Sequence, residues 1–390
     1  MAKDSRVTGT NLEQNGWDNK LKRAAEGDDI FSAFRGDIKG EGKSSVLSGS
    51  IFEVKKLKGK TSHVMGLIKS LNGSGKAGRT PVSGTEEKLE TLDFTAYGNE
   101  WKHGVTAEKF GIDAVANEPY ALLKIAVPLL GEYMEKYKGT HRREAIIQRV
   151  SSNLTVAPSS QAQHINANVF MAGVALTSQP AYSDTLATYT TNINTVAQAS
   201  GANYQLTKAN VRKLEQWVTS NKRIRPISNM NEYGANGKYI VTVPTNQKYV
   251  LMDDEAGLGK YFQQSAKPEK VLPGWIGEYG RFVFVEDMRS VVATVNPGAN
   301  AGITFTYTTV EDSRPVAGAN KHDIVMVFGA SAAVELELES LHLEKDPTVE
   351  YGREDRTAAF ANYGVQLYEW QDGANVRHNY GSAIVFCTSV

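Results

Sequence analysis

Cysteine is the residue this sequence has least of. Its 390 residues include one, Cys387, which leaves no partner for an intrachain disulfide and no Cys-pair metal site, so the sequence reads as one made in a reducing compartment, the cytosol. An excess charge of either sign is also missing. Lys and Arg number 43 and Asp and Glu number 43, which removes the broad attraction to phosphate on which most nucleic-acid binders depend. The longest apolar run, Ile324 to Val334, is about half of what a helix needs to cross a bilayer. Met1 to Gln14 is polar and has no apolar stretch of the kind that directs export. Neither an export signal nor a membrane segment is expected.

Catalytic and ligand-binding patterns are equally scarce. The histidines at 63, 103, 141, 164, 322, 342 and 378 stand singly, so no two imidazoles share a helix face at the spacing a metal site uses. The run Gly36 to Ser44 imitates a phosphate loop, but five residues rather than four separate Gly36 from Gly42-Lys43, and no apolar strand leads into it. Gly73-Ser74-Gly75-Lys76 is followed by Ala77 where a magnesium-binding hydroxyl is needed. The acidic pairs Asp253-Asp254 and Glu86-Glu87 lack the further oxygens that a cation requires. Lys55, Lys56, Lys58 and Lys60 have no interleaved aromatics, and Lys222-Arg223-Arg225 is accounted for by charge at a helix C-terminus. Cys387, beside an apolar strand, reads as packing. No catalytic residue, cofactor or metal site is expected.

What is present belongs to a folded chain: 41% hydrophobic, 22% charged and 9% aromatic residues are globular values, and the length allows about two to three domains. Residues 1–50 mix charges of both signs with glycine and carry only short apolar clusters such as Ile30, Phe31 and Phe34, the composition of an arm. Partly alternating runs at Thr61–Leu71 and Leu89–Tyr97 predict two strands. The Gly-rich stretch Asn72–Gly84 between them is far longer than a hairpin turn. From Pro119, the apolar residues Leu122, Ala126, Leu130, Tyr133 and Tyr137 predict the longest helix, closing at Gly139 and bent at Pro128, with a second short helix over His141–Val150. The Ser/Thr/Asn-rich stretch 151–203 shows no usable period. Thr207 caps a helix whose apolar face is Val211, Leu214, Trp217 and Val218. Strands are predicted at Tyr239–Val243, Arg281–Glu286, Ile303–Val310, Ile324–Phe328, Val334–Leu338, Val365–Trp370 and Ala383–Phe386. No repeat is visible, and strands at both ends with helices between them imply an α+β fold.

Three segments, taken in order, resemble the major capsid proteins of tailed phages, specifically the N-four-like family, whose members adopt the Hong Kong 97 phage fold. The first is Gly59-Lys60-Thr61 with its strand, Leu71-Asn72-Gly73-Ser74-Gly75, and the return Val82-Ser83-Gly84-Thr85-Glu86-Glu87-Lys88-Leu89. The second is the long helix from Pro119. The third is Leu206-Thr207 with its helix, Asn221, Pro226-Ile227, and Gly237 to Gln247 with its Pro-x-x-Gln turn. The stretch 151–203 has no counterpart there and reads as a possible insertion.

The resemblance implies an N-terminal arm (1–50), an extended β-hairpin loop (51–104), a peripheral domain with a spine helix (105–165), an axial domain (166–320) and a β-rich return to the peripheral domain (321–390). It implies a coat protein without catalysis, assembled in the host cytoplasm into an icosahedral head and residing in the virion. Its partners would be copies of itself in pentamers and hexamers, a portal, a scaffold or decoration protein, and packaged double-stranded DNA held without sequence specificity; no membrane is involved. Gly73, Ser74, Gly75, Lys76, Arg79, Glu86 and Glu87 are the expected inter-subunit contacts. Near-zero net charge suits a subunit packed beside identical copies, and the polar arm suits ordering on neighbours. Two other readings compete: a non-viral β-rich structural or binding subunit of a cytoplasmic assembly, and a soluble enzyme.

Overall fold

A computed structural model describes residues 29–37, 51–57, 61–68, 91–108, 119–154, 164–199, 205–222, 224–227, 237–253, 274–289, 291–296, 302–307, 321–346, 354–371 and 377–388. The fold is α+β, built on two large sheets and a long helix.

The first sheet has five strands in the order β1 (Arg35–Asp37), β2 (Phe52–Lys56), β13 (Ala333–Asp346), β14 (Glu354–Leu367) and β5 (Asn99–Glu108). β2 runs parallel to both β1 and β13, and the remaining pairs are antiparallel. The second has eight strands with β12 (Lys321–Phe328) as its hub. One edge of β12 is paired along its length with β17 (Ser382–Thr388), which in turn pairs with β6 (Val169–Met171). The other edge is shared: residues 321–323 pair with β10 (Val291–Asn296), which pairs with β11 (Gly302–Tyr307), and residues 326–328 pair with β7 (Tyr239–Pro244). Beyond β7 lie β9 (Phe282–Asp287) and β8 (Trp275–Tyr279). The apolar run from Ile324 explains the hub, since a strand buried on both faces needs continuous rather than alternating hydrophobicity.

Helix α1 (Pro119–Gln148) packs against β14 and β5 of the first sheet and reaches β17 of the second. Helix α2 (Leu186–Ala199) lies on β10 and β11. Helix α3 (Lys208–Gln216), after Thr207 at its N-cap, runs into a π-helical turn (Trp217–Asn221), and its predicted face Val211, Leu214, Trp217 and Val218 is buried. Helix α4 (Thr245–Asp253) follows β7 directly. Strands β3 (Ser62–Ile68) and β4 (Thr91–Tyr97) form a separate antiparallel pair, as the alternation predicts. A last short pair joins β15 (Trp370–Gln371) and β16 (Arg377–His378). No helix among the described residues is long and apolar enough to cross a membrane.

Several expectations change. The helix predicted to close at Gly139 continues through the expected second helix to Gln148 as one element. Gly139 is there for space: a Cβ would lie 3.0 Å from Nη1 of Arg143 and of Arg289 and 3.1 Å from Cγ of Asp29. The 151–203 stretch supplies β6 and α2, because buried asparagines replace the apolar periodicity that marks a core element. The cluster Ile30, Phe31 and Phe34 does not wait for a neighbour. It forms a 3₁₀ turn (Ile30–Phe34) whose Phe31 is wholly buried, 5.4 Å from Phe52 of the first sheet and 5.6 Å from Phe328 of the second. The ends of 51–104 belong to the five-stranded sheet through β2 and β5, and 321–390 divides its strands between the two sheets. Strands β5, β10 and the first half of β14 were not predicted, since their apolar residues do not alternate cleanly.

Candidate assembly elements

The β3–β4 hairpin shares a backbone ladder with neither large sheet among the described residues, and the Tyr97 amide donates to Gln366 Oε1 of β14 at 3.3 Å. Its strands pair from Ser62 opposite Tyr97 to Ile68 opposite Thr91, and the Gly98 amide closes the base on the Thr61 carbonyl at 3.0 Å. One face is anchored: Phe94 and Ala96 are buried against Val334, Leu336, Leu338, Tyr368 and Trp370, with Phe94 5.5 Å from the Tyr368 ring and 5.9 Å from Trp370. The anchoring is close enough that a Cβ on Gly364 would come within 2.1 Å of the Tyr97 carbonyl oxygen. On the other face, Val64 is 60% exposed opposite Thr95. A free two-stranded hairpin is marginal in water, and this one is fixed at its base by its anchored face, with Val64 exposed on the other. Gly73, Ser74, Gly75, Lys76, Arg79, Glu86 and Glu87, and the rest of the Gly-rich tip, lie outside the described residues.

Where α1 passes between the sheets it carries adjacent arginines into a buried ionic network. Arg142 donates Nε and Nη2 to the two Glu335 oxygens at 3.1 and 3.2 Å, and Nη1 to Asp29 at 3.0 Å. Arg143 forks Asp287 at 2.8 and 2.6 Å and reaches Asp29 at 3.2 Å, with its guanidinium 4.7 Å from the centre of the Phe31 ring. Arg35 makes a second fork on Glu335 at 3.1 Å and bonds Glu337, while Arg289 bonds Glu135 at 3.2 Å. Glu335 belongs to the first sheet and Asp287 to the second, so the two arginines rivet both to the helix. Burial alone would raise the Glu335 carboxyl; Arg142 and Arg35 outweigh it and bring the pKa to about 2. Burial likewise opposes ionisation of Asp29, and Arg143, Arg142 and Arg289 overcome it and hold the carboxyl below its ordinary value. One residue before Arg142, His141 Nδ1 and Tyr363 share a buried 2.6 Å hydrogen bond, and burial followed by the Arg142 charge lowers the imidazole to about 3, so it is neutral.

The Pro-x-x-Gln segment proves to be the entry to α4. Gln247 is fully buried, its Nε2 donating to Asp323 at 3.0 Å and to the Thr388 carbonyl at 2.7 Å. It thereby ties helix, hub strand and C-terminal strand together. The asparagines of the 151–203 stretch do similar work. Asn166 donates to the Ile146 carbonyl at 2.8 Å, Asn168 to the carbonyls of Asn379 and Ser382 at 2.7 and 2.9 Å, and Asn379 to Asn166 at 2.9 Å. Cys387 is buried in β17 opposite Asp323, its thiol pushed well up by burial and by that carboxylate.

The sequence offered one signal for the network: paired arginines within an otherwise apolar helical run. Glu335 gave none, because alternation with Val334 and Leu336 places it on a solvent face, whereas Arg35 and Arg142 cover that face.

No protein-family model matches the sequence, and no curated protein matches it. The solved structures do. A chain of the capsid of Ralstonia phage GP4 is 16% identical with a TM-score of 0.56, the match covering 92% of this chain and 90% of that one. The cyanophage Pam1 capsid gives 15% identity, a TM-score of 0.58 and 92% of each chain. The acidic stable capsid structure of Helicobacter pylori bacteriophage KHP30 gives 14%, 0.59, and 93% and 92%. At these identities the likeness is one of fold: the chain has, over almost its whole length, the α+β fold of these phage capsid chains.

Proposed function

We propose that this chain is the major capsid protein of a tailed phage, of the N-four-like family and with the Hong Kong 97 phage fold, and that it acts as a structural subunit rather than an enzyme. The observation that carries the reading is a shared fold spanning more than nine-tenths of this chain and of phage capsid chains alike. The described elements supply the physical parts. Helix α1 is the spine, riveted to both sheets through Arg142 and Arg143 so that the body moves as a unit. The five-stranded sheet with α1 is the peripheral domain, and the eight-stranded sheet is the axial domain.

The β3–β4 hairpin is the stem of the extended loop. Its tip, with Gly73, Ser74, Gly75, Lys76 and Arg79, and its return, with Glu86 and Glu87, lie on an adjacent subunit, giving the hairpin's outer face and charges a partner. Subunits close into pentamers and hexamers, and these into an icosahedral head around double-stranded DNA, with a portal and with scaffold or decoration proteins as further partners. Assembly takes place in the host cytoplasm and the product is the virion shell.

Expression of the full chain, followed by sizing and negative-stain electron microscopy, tests this. Closed shells or five- and six-membered rings are expected, and a monomer at every concentration would overturn the capsid reading. Deleting Gly73 to Gly84 should leave a folded, soluble subunit that forms no closed shells. Normal shells from that deletion would remove the role given to the loop and leave the rest standing.

A further inference from the structure

One border of the five-stranded sheet is left open. The strand order ends at β5, which pairs with β14 and with no second strand among the described residues. Such an edge is a template for another strand, and proteins commonly blunt it with a short edge strand, a proline, a bulge or charges. β5 has ten residues, no proline and an unbroken register with β14. Glu100 and Lys102, 53% and 65% exposed, are its outward charges among the residues whose side chains are described; they are opposite in sign and only loosely paired with each other, at 4.0 Å.

The other face of the strand is held firmly by α1. The His103 ring stacks on Tyr133 at 3.6 Å, and Trp101 lies 5.4 Å from Tyr137 and 5.0 Å from His141. Leu129, Tyr133 and Tyr137 recur every four residues and so form one line along the helix. That line is incompletely covered: both tyrosines and Trp101 are half-buried, and Leu129 is 56% exposed. An open strand edge and a partly covered apolar row therefore follow the same border of the sheet.

We propose that two copies of this chain join antiparallel along β5, about a two-fold axis at Trp101, so that Glu100 of each lies opposite Lys102 of the partner subunit. The charges select this occupant and this register. A two-fold axis normal to a sheet leaves each face on its own side, so the sequence numbers of opposed residues differ by an even number. An axis at Lys102 would set that lysine against its own copy, and like charges directly opposite are destabilising. An axis at Trp101 gives both charges an opposite partner, twice in the dimer, and sets Asn99 against His103. It also places the two α1 helices on one face of the joined sheet, with their Leu129, Tyr133 and Tyr137 lines flanking the junction. The contact is isologous, unlike the head-to-tail contacts of a ring, and it does not rest on the capsid reading.

Cysteine trapping and charge reversal in the full chain test it. Glu100→Cys combined with Lys102→Cys should, on mild oxidation and alkylation of the remaining thiols, give a covalent dimer on a denaturing gel, whether the chain starts as dimers or in larger particles. Either cysteine alone should not. Glu100→Lys and Lys102→Glu, each alone, should weaken association on the order of tenfold by sedimentation velocity, and the two reversals together should restore it. Both side chains are exposed, so the variants should keep the circular dichroism of the unaltered chain. Unaltered association in either single reversal, no recovery in the double reversal, no covalent dimer from the two-cysteine chain, or a monomer at every concentration would overturn the self-pairing edge. Dimers that never form shells would support it while removing the capsid reading, and normal shells from both single reversals would do the opposite.

Discussion

Glu335 is held by two guanidinium forks, from Arg35 and Arg142, in a site with no exposure. Buried ion pairs are weak evidence of net stability, yet removing one partner leaves the others charged and dry, at a cost of about 3–5 kcal/mol. Glu335→Gln is therefore expected to lower the unfolding free energy by about that much at pH 6. The pH dependence has a definite sign. With its folded pKa depressed from 4.5 to about 2, Glu335 stabilises the fold above 4.5 and loses that contribution as pH falls toward 2, an amount of roughly 3 kcal/mol. His141, depressed from 6.5 to about 3, acts in the same direction over its own window. Urea unfolding of both proteins at pH 6 and pH 2.5 checks this: the advantage of the unaltered chain should shrink at acid pH, and a constant difference would show that the carboxylate is not what the forks hold.

At the scale of elements, α1 is a 30-residue helix that runs past a glycine the sequence reads as its end. Intrinsic propensity favours alanine over glycine in a helix interior by about 1 kcal/mol. At 139 the sign should reverse, because the added Cβ would press on Arg143, Arg289 and Asp29, which their ion pairs hold in place. Gly139→Ala is expected to lower the thermal midpoint, whereas an increase would mean that the network yields. Leu130 gives a contrasting case. It is 1% exposed on the face the apolar spacing predicts, while its neighbour Leu129 is 56% exposed. Leu130→Asp should prevent folding, by burying an unpaired charge, and Leu129→Asp should fold. Circular dichroism of the two variants separates them. Tyr133, placed on the same core face by spacing, is half-buried and stacks on His103 of β5 at 3.6 Å, so its face is the sheet edge rather than the centre.

For the whole molecule, the decisive feature is that the beginning of the described chain sits at its centre. Phe31 lies between Phe52 and Phe328, one from each large sheet, and Asp29 bridges Arg142 and Arg143. Residues that composition marks as an arm therefore close the body of their own chain. Phe31→Ala is expected to cost about 3–5 kcal/mol, the range for an aromatic removed from a packed core. Chemical denaturation of the purified chain measures it, and a loss below about 1 kcal/mol would show that the body is complete without this segment.

Local pattern settled the features that local energetics set. The α+β class, the hairpin stems, the long helix and the buried faces of α3, β12 and β17 follow from apolar spacing, because a core-facing side chain must recur with the period of its own backbone. The Pro-x-x-Gln and Gly-rich segments were visible as motifs, but the role of Gln247 was not. What only the folded chain decided is how distant polar residues meet: Asp29 with Arg142 and Arg143, Glu335 with Arg35, Asn166 with Asn379, Arg149 with Glu369. A charge or an amide looks like solvent surface until the partner that permits its burial is beside it, and that partner is fixed by topology, one to three hundred residues away, rather than by its neighbours in sequence.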